Sequence, residues 1–132
     1  MLNTYITNNV INIFLPDKKL RKQIMSIETD STPLEDPKNP DTCNCFAIYS
    51  LLANEEQISQ MRANYTAGGY GYGHAKQALF ECIIECFSEQ RKKYDYLMSN
   101  PQEIEAELQK GAKKAKVIAD EVLNRVRTKV GY

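Results

Sequence analysis

The sequence predicts an all-α fold, a bundle of about five helices that ends in a long antiparallel helix hairpin. Apolar residues recur at helical spacing through most of the chain after residue 16. Asn, Pro and Gly residues lie where these periodic segments begin and end, as they do at helix termini. A length of 132 residues with 42% apolar content is enough for one domain core and too little for two.

Charge and cysteine content narrow the class of protein. Seventeen basic and seventeen acidic residues cancel, so a nucleic-acid surface must come from local clustering of charge. No basic leader and no apolar run of membrane-spanning length occurs, so we expect a soluble, cytoplasmic protein with no membrane partner. Four cysteines are too few for a disulfide scaffold of this length, so reduced thiols are expected.

Residues 1–15 are predicted to be a tail or connector, and residues 16–132 a helical domain. Thr, Asn and β-branched residues dominate the first segment and favour turns and extended chain. Pro16 suits the first position of a helix, and apolar residues follow it at helical spacing. Residues 28–41 hold three prolines and five acidic residues, which predicts a stiff loop whose length indicates packing or function.

Two shorter helices are predicted next. A strongly apolar one follows Asp41 or Thr42 and should be the buried one. Another begins at Asn54, where Gln57 three residues on resembles a capping box. Gly68 ends this helix, because glycine is the residue preferred just after a helix C-terminus.

Two long helices are predicted to complete the chain. One covers residues 74 to about 99, and Asn100 with Pro101 begins the other. Because almost nothing separates them, we expect an antiparallel hairpin against which the three shorter helices pack. The inner stripe of the last helix is close to a heptad and consists of Ile104, Leu108, Gly111, Ala115, Ile118, Val122 and Val126.

Residues 68–76, which we call the glycine loop, cannot be ordinary helix throughout. Four glycines within six residues free the backbone to adopt positive φ, and the only histidine of the chain, His74, follows them. Lys76 lies in the first turn of the next helix, where a cation opposes the helix dipole at a cost of roughly 0.3 to 1 kcal/mol. An anionic partner would reverse the sign of that effect.

Three interpretations of the glycine loop are open. A nucleotide cradle is disfavoured, because the glycines do not follow the G-x-G-x-x-G spacing and a helix precedes them where a strand is needed. A helix C-cap running into a tight turn needs no ligand at all. A third interpretation is an RNA-binding loop that stacks bases on Tyr70, Tyr72 or His74 and contacts phosphate through Lys76.

The cysteines do not have a convincing metal-binding arrangement. Cys82 and Cys86 share one helical face, whereas Cys43 and Cys45 would point to different sides of a helix. We therefore predict no metal and interpret the pair at 82 and 86 as buried small hydrophobes.

Basic clusters and catalytic motifs give weaker indications. The clusters at residues 18–22, 91–93 and 110–116 are typical of solvated helix faces, and each is also a candidate nucleic-acid surface. With one histidine, no nucleophile motif and no paired acids in a recognisable cleft motif, the chain is predicted to have no catalytic residue.

Several ordered motifs carry a resemblance to a known family. They are DTCNCFAIY at 41–49, AGGYGYGHAK at 67–76, TDST at 29–32, and the ending with Ala115, Ile118 and Val126 to Gly131. From about Asn8 to its end, the chain resembles the C-terminal portion of bacterial tryptophanyl-tRNA synthetases.

The resemblance implies that this chain corresponds to one of two functional domains of a longer enzyme. In that family a Rossmann-like catalytic domain makes tryptophanyl adenylate from tryptophan and ATP, and a helical C-terminal domain meets the anticodon end of the tRNA. No HIGH-like or KMSKS motif occurs here, so no ATP-binding residue is transferred and this chain alone is expected to be inactive, without a cofactor. Some members hold an iron-sulfur cluster, but the cysteine spacing here differs and none is predicted.

The predicted function is therefore tRNA binding, with Tyr72, Gly73, His74 and Lys76 as the RNA-facing residues. Lys76 would contact phosphate, and Tyr72 or His74 would stack on an anticodon base. The expected partners are a tryptophan tRNA and the catalytic domain, with self-association also open, and no DNA. The alternative is a structural or interaction module that packs on a partner domain or a second copy without reading RNA.

Overall fold

The described part of the chain in this computed structural model, residues 10–131, contains helices and turns and no strand. A 3-10 turn at Pro40–Thr42 precedes the second helix. The all-α prediction and the long C-terminal helix are confirmed. The six α-helices are α1 (Asp17–Met25), α2 (Asn44–Ser50), α3 (Glu55–Ala67), α4 (Tyr72–Cys86), α5 (Ser88–Ser99) and α6 (Pro101–Val130).

There is one more helix than expected, because the helix predicted from residue 74 to about 99 is divided at Phe87. The backbone there has φ −107° and ψ 17°, outside the helical range, although no proline or glycine is present. The Phe87 side chain packs partly buried against the core. Tertiary packing therefore ends α4 at a position where local sequence favours helix.

The structure divides into two units, Met1–Arg91 and Lys92–Tyr132. The core lies in the first unit, where α1 to α4 pack together around the fully buried ring of Tyr65. The Tyr65 ring lies 5.6 Å from Phe46, 5.8 Å from Tyr70 and 6.1 Å from Tyr72, centroid to centroid. Its hydroxyl is 3.4 Å from the sulfur of Cys43. Residues of α2 and of the glycine loop thus pack on one aromatic centre.

The second unit consists of the end of α5 and the 30-residue helix α6. No residue of α6 is buried, so its predicted inner stripe is exposed: Leu108 is 63% exposed and Ile118 66%. The expected burial is wrong for this chain, because one helix and the end of another provide too little surface to cover the stripe. The pairing of the two long helices as a hairpin stays a prediction.

Residues 10–15 precede α1 and are bonded to the first unit. The Arg91 guanidinium donates to the carbonyl oxygens of Ile13 and Leu15, the latter at 3.0 Å, and pairs with Asp17 at 2.6 Å. Asn12 is held from the other side by Gln23, whose side-chain oxygen accepts from its N–H at 3.0 Å. The first nine residues of the predicted tail lie outside the described range.

Candidate nucleic-acid interface

The long loop 28–41 is organised around one buried lysine. Lys38 is 4% exposed, and its ammonium donates to the carbonyl oxygens of Pro33, Leu34 and Asp36 at 2.9, 3.2 and 3.1 Å. Its backbone N–H donates to the carbonyl of Tyr65 at 2.7 Å. Sequence reasoning missed this residue, although a single lysine among five acids was a signal that the cation serves the loop itself.

The glycine loop packs directly against this lysine-centred loop. Gly68 and Gly69 have φ of 78° and 74°, which L residues rarely adopt. A Cβ on Gly68 would lie 2.4 Å from the carbonyl oxygen of Glu35, and the N–H of Gly69 donates to Leu34 at 3.0 Å. The C-cap and tight-turn interpretation is therefore confirmed for the start of the loop.

Tyr72 begins α4, and its hydroxyl is used inside the molecule. It donates to the Asp30 carboxylate at 2.7 Å, and the ammonium of Lys38 lies 5.5 Å from the ring centroid. Burial and this hydrogen bond raise the pKa of Tyr72 to about 12. Hydrogen bonds from Thr32 and Tyr72 lower the pKa of Asp30. Tyr72 thus joins the lysine-centred loop to the first turn of α4.

Lys76 is also used inside the molecule. Its ammonium donates to the carbonyl oxygen of Met25 at 3.2 Å, and Met25 is the last residue of α1. A cation is favourable at a helix C-terminus, where carbonyl groups carry partial negative charge. Lys76, which was expected in the first turn of its helix, is the fifth residue of α4 and complements the dipole of α1 instead.

Gly73 and His74 are exposed beside these two anchored residues. The His74 ring lies 5.7 Å from the ring of Tyr70, and a Cβ on Gly73 would meet open space. No side chain caps the N-terminus of α4. The four predicted residues therefore come together, with two facing solvent and two engaged internally.

α1 packs along α4 and carries a basic face. Lys18, Lys19 and Lys22 are exposed, and within residues 10–131 none of the three forms an ion pair. Lys18 and Lys22 lie one helical turn apart on the same face. Arg21 connects the face to α4, because its Nε donates to the Gln77 side-chain oxygen at 3.0 Å.

The cysteines differ from their predicted environments. Cys43 and Cys45 are the buried pair, whereas Cys82 is half-buried and Cys86 exposed, so the interpretation of the helical pair as buried hydrophobes is wrong for Cys86. Both members of the first pair reach the core because Cys43 is the N-cap residue of α2 and not part of the helix. Burial raises the pKa of Cys45 to about 12 and of Cys82 to about 11, so these thiols stay protonated.

The described residues include no group of three His, Cys, Asp or Glu side chains placed to hold a metal ion. Among them, no helix is long and apolar enough to cross a membrane.

Known proteins provide close relatives of this chain. The tryptophan-tRNA ligase of Fusobacterium nucleatum is 44% identical over 124 residues, which are 94% of this chain and 38% of that protein. The tryptophan-tRNA ligase of Campylobacter jejuni is 43% identical over 123 residues, 93% of this chain and 39% of that protein. No protein-family model matches the sequence.

A solved structure agrees with these relatives. The Campylobacter jejuni tryptophanyl-tRNA synthetase, crystallised with ADP and tryptophan, superposes with a TM-score of 0.89 at 42% identity. The match covers 100% of this chain and 41% of that one, so the chain spans about two fifths of the length of its relatives. By sequence and by structure, the chain is homologous to the C-terminal part of bacterial tryptophan-tRNA ligases.

Proposed function

We propose that this chain binds the anticodon end of a tryptophan tRNA through the glycine loop and the basic face of α1. The observation that carries the proposal is that His74 is exposed at the start of α4, while α1, which packs along α4, carries exposed lysines without an ion pair, in a chain homologous to tRNA ligases. An aromatic group beside cations suits unpaired RNA, because bases stack on the ring and phosphates attract the lysines.

Within this proposal the four loop residues have different roles. His74 stacks on an unpaired base, and Gly73 lets the RNA backbone approach because no side chain projects there. Tyr72 and Lys76 contribute mainly by holding the surface in shape, since each already has a hydrogen-bond partner in Asp30 or Met25. The phosphate contact assigned to Lys76 on sequence grounds passes to Lys18 and Lys22.

In this proposal the ligase reaction itself is carried out by a catalytic domain, and not by this chain. Joining tryptophan to its tRNA with ATP would require the catalytic domain, which is also the expected protein partner, in the cytoplasm. The chain by itself binds RNA and has no ligase activity.

Binding of a labelled anticodon stem-loop, followed by fluorescence anisotropy over a range of salt concentrations, tests the proposal. The logarithm of the affinity should fall with the logarithm of salt at about 0.7 per phosphate contact. Replacing Lys18 and Lys22 together by Ala should reduce this slope, whereas His74→Ala should weaken binding about tenfold with the slope retained.

Lys76→Ala is the informative comparison for the same experiment. Its effect on binding should be smaller than that of His74→Ala and should follow any loss of stability. Unchanged binding in the combined His74→Ala and Lys76→Ala variant, or an affinity that does not depend on salt, would rule the proposal out.

A second candidate function rests on the exposed stripe of α6. Leu108, Val117 and Ile118 are each more than 60% exposed, and such a stripe is typical of a helix that packs on another protein surface. The candidate is an interaction module that packs on the catalytic domain or on a second copy without reading RNA. Light scattering that finds a dimer, together with no salt-dependent RNA binding, would favour it.

A further inference from the structure

Two cysteines lie side by side at the C-terminal end of α4. The sulfur atoms of Cys82 and Cys86 are 4.0 Å apart, and one helical turn separates the two residues. Cys82 is half-buried and Cys86 exposed, so the pair can be reached from solvent. Cys43 and Cys45 are both buried, and the sulfur of Cys43 already lies 3.4 Å from the Tyr65 hydroxyl. The helical pair is therefore the accessible dithiol of the chain.

This pair lies at the opposite end of α4 from the glycine loop. The helix has fifteen residues and Cys86 is the last of them. At a rise of about 1.5 Å per residue, about 20 Å of helix separates Cys86 from the first turn. Neither thiol takes part in the proposed RNA binding, so a function of the pair is independent of that proposal.

The geometry of the pair disfavours a disulfide. A disulfide needs an S–S distance of about 2.05 Å and Cβ atoms about 3.5 to 4.5 Å apart. Residues four apart on a helix hold their Cβ atoms about 5 to 6 Å apart, so direct oxidation of the pair would distort the last turn of α4. The two sulfurs are better placed to hold an ion between them than to bond to each other.

A soft metal ion fits between the two sulfurs. Metal–thiolate bonds are about 2.3 Å long, so sulfurs 4.0 Å apart correspond to an angle of about 120° at the ion, which a small rotation about χ1 opens further. The described residues contain no group of three His, Cys, Asp or Glu placed to hold a metal, which argues against the four-ligand sites of zinc. Thiolates select copper(I), and two sulfur ligands are enough to hold it.

The surroundings of the pair favour a cation. The carbonyl oxygen of Leu52, in the turn after α2, lies 3.7 Å from the sulfur of Cys86 and directs negative partial charge towards it. The carboxylate of Glu85 acts electrostatically on Cys82. Negative charge attracts a cation and repels an anion, so a positive ion between the sulfurs gains from both groups.

We propose that Cys82 and Cys86 form a binding site for one copper(I) ion. Each sulfur releases its proton to solvent as it bonds to the ion, and the copper keeps its oxidation state. The Leu52 carbonyl oxygen is the nearest further donor, on the segment that joins α2 to α3. The bound ion links two successive turns at the end of α4.

Competition for copper(I) by the full chain tests this site. The reduced protein is titrated without oxygen against the coloured complex of copper(I) with bicinchoninate, and the loss of colour measures the copper withdrawn. The parent chain should withdraw one copper(I) per molecule. Cys82→Ser and Cys86→Ser should each weaken binding at least about a hundredfold, because a hydroxyl is a poor ligand for a soft cation.

Cys45→Ala is the matched control. It removes a thiol that is buried in α2 and leaves the helical pair intact, so withdrawal of one copper(I) should persist. Circular dichroism establishes that all the variants are folded. X-ray absorption at the copper edge should show two sulfur ligands at about 2.3 Å in the parent and in this control.

Four results would each overturn the proposal. The first is no withdrawal of copper(I) by the parent chain, and the second is binding that survives the combined Cys82→Ser and Cys86→Ser substitutions. The third is loss of binding in folded Cys45→Ala. The fourth is a copper-dependent dimer in light scattering, because the pair would then supply only part of the site. All four leave the proposed RNA binding intact, since the anticodon stem-loop tests that separately.

Discussion

The ammonium of Lys76 donates a hydrogen bond to the carbonyl oxygen of Met25, 3.2 Å away, and so joins the second turn of α4 to the last residue of α1. A free carbonyl at a helix C-terminus gains from a nearby cation through both the hydrogen bond and the dipole. The hydrogen bond gives Lys76 a structural role, although helix-dipole preferences disfavour a lysine near the N-terminus of a helix.

Lys76→Met should destabilise the first unit by about 1 to 2 kcal/mol, because the carbonyl of Met25 loses a charged donor while the aliphatic stem is kept. Chemical denaturation followed by circular dichroism measures this as a lower midpoint. Lys19→Met, an exposed change without a partner to lose, should leave the midpoint within about 0.5 kcal/mol of the parent. Equal midpoints for the two variants would contradict the role of the Lys76 bond.

Lys38→Met should cost more, about 2 to 4 kcal/mol, because it leaves three inward-facing carbonyl oxygens without their donor. The same denaturation experiment measures it, and Lys22→Met on the basic face provides the exposed comparison. The lysine-centred loop contacts the glycine loop through Leu34 and Gly69, so the surroundings of His74 should change as well. A Lys38→Met protein as stable as the parent would show that the loop does not depend on this ammonium.

Gly68→Ala and Gly73→Ala should have opposite effects. The first forces a side chain into φ 78° and against the Glu35 carbonyl oxygen, so we expect a loss of at least about 2 kcal/mol. The second lies inside α4 with open space around it, so alanine should stabilise the chain by up to about 1 kcal/mol. Thermal unfolding of the two variants measures both effects, and similar shifts for both would contradict the geometry described for Gly68.

Alkaline pH should destabilise the fold through Tyr72. Its pKa rises from an ordinary value of 10.0 to about 12 on folding, so the folded chain binds more protons in that window. The stabilisation is complete below pH 10 and is lost as pH rises towards 12. Unfolding midpoints measured across this range should fall less steeply for Tyr72→Phe than for the parent. If the midpoint fell equally steeply with pH in both proteins, Tyr72 would not be a cause of the alkaline destabilisation.

Helix positions were largely predictable from sequence, because capping residues act locally. Asn54 with Gln57 forms the predicted capping box, and Gly68 ends α3 as expected. The division at Phe87 was not predictable, since nothing in the local sequence disfavours helix there and the interruption comes from packing.

The candidate site was predictable as a segment and not as a set of contacts. Its four residues do come together at the start of α4, but the partners of Tyr72 and Lys76 lie 42 and 51 positions away in sequence. No local rule pairs residues at that distance.

The lysine-centred loop and the glycine loop hold each other in place, although about thirty residues separate them in the sequence. The bond from Gly69 to Leu34 joins the two loops directly, and the bond from Lys38 to Tyr65 joins the first of them to α3, the helix that leads into the glycine loop. A shift of either loop would therefore break contacts with the other. The start of α4, with its exposed histidine, is thus held in shape by a segment rich in acidic residues.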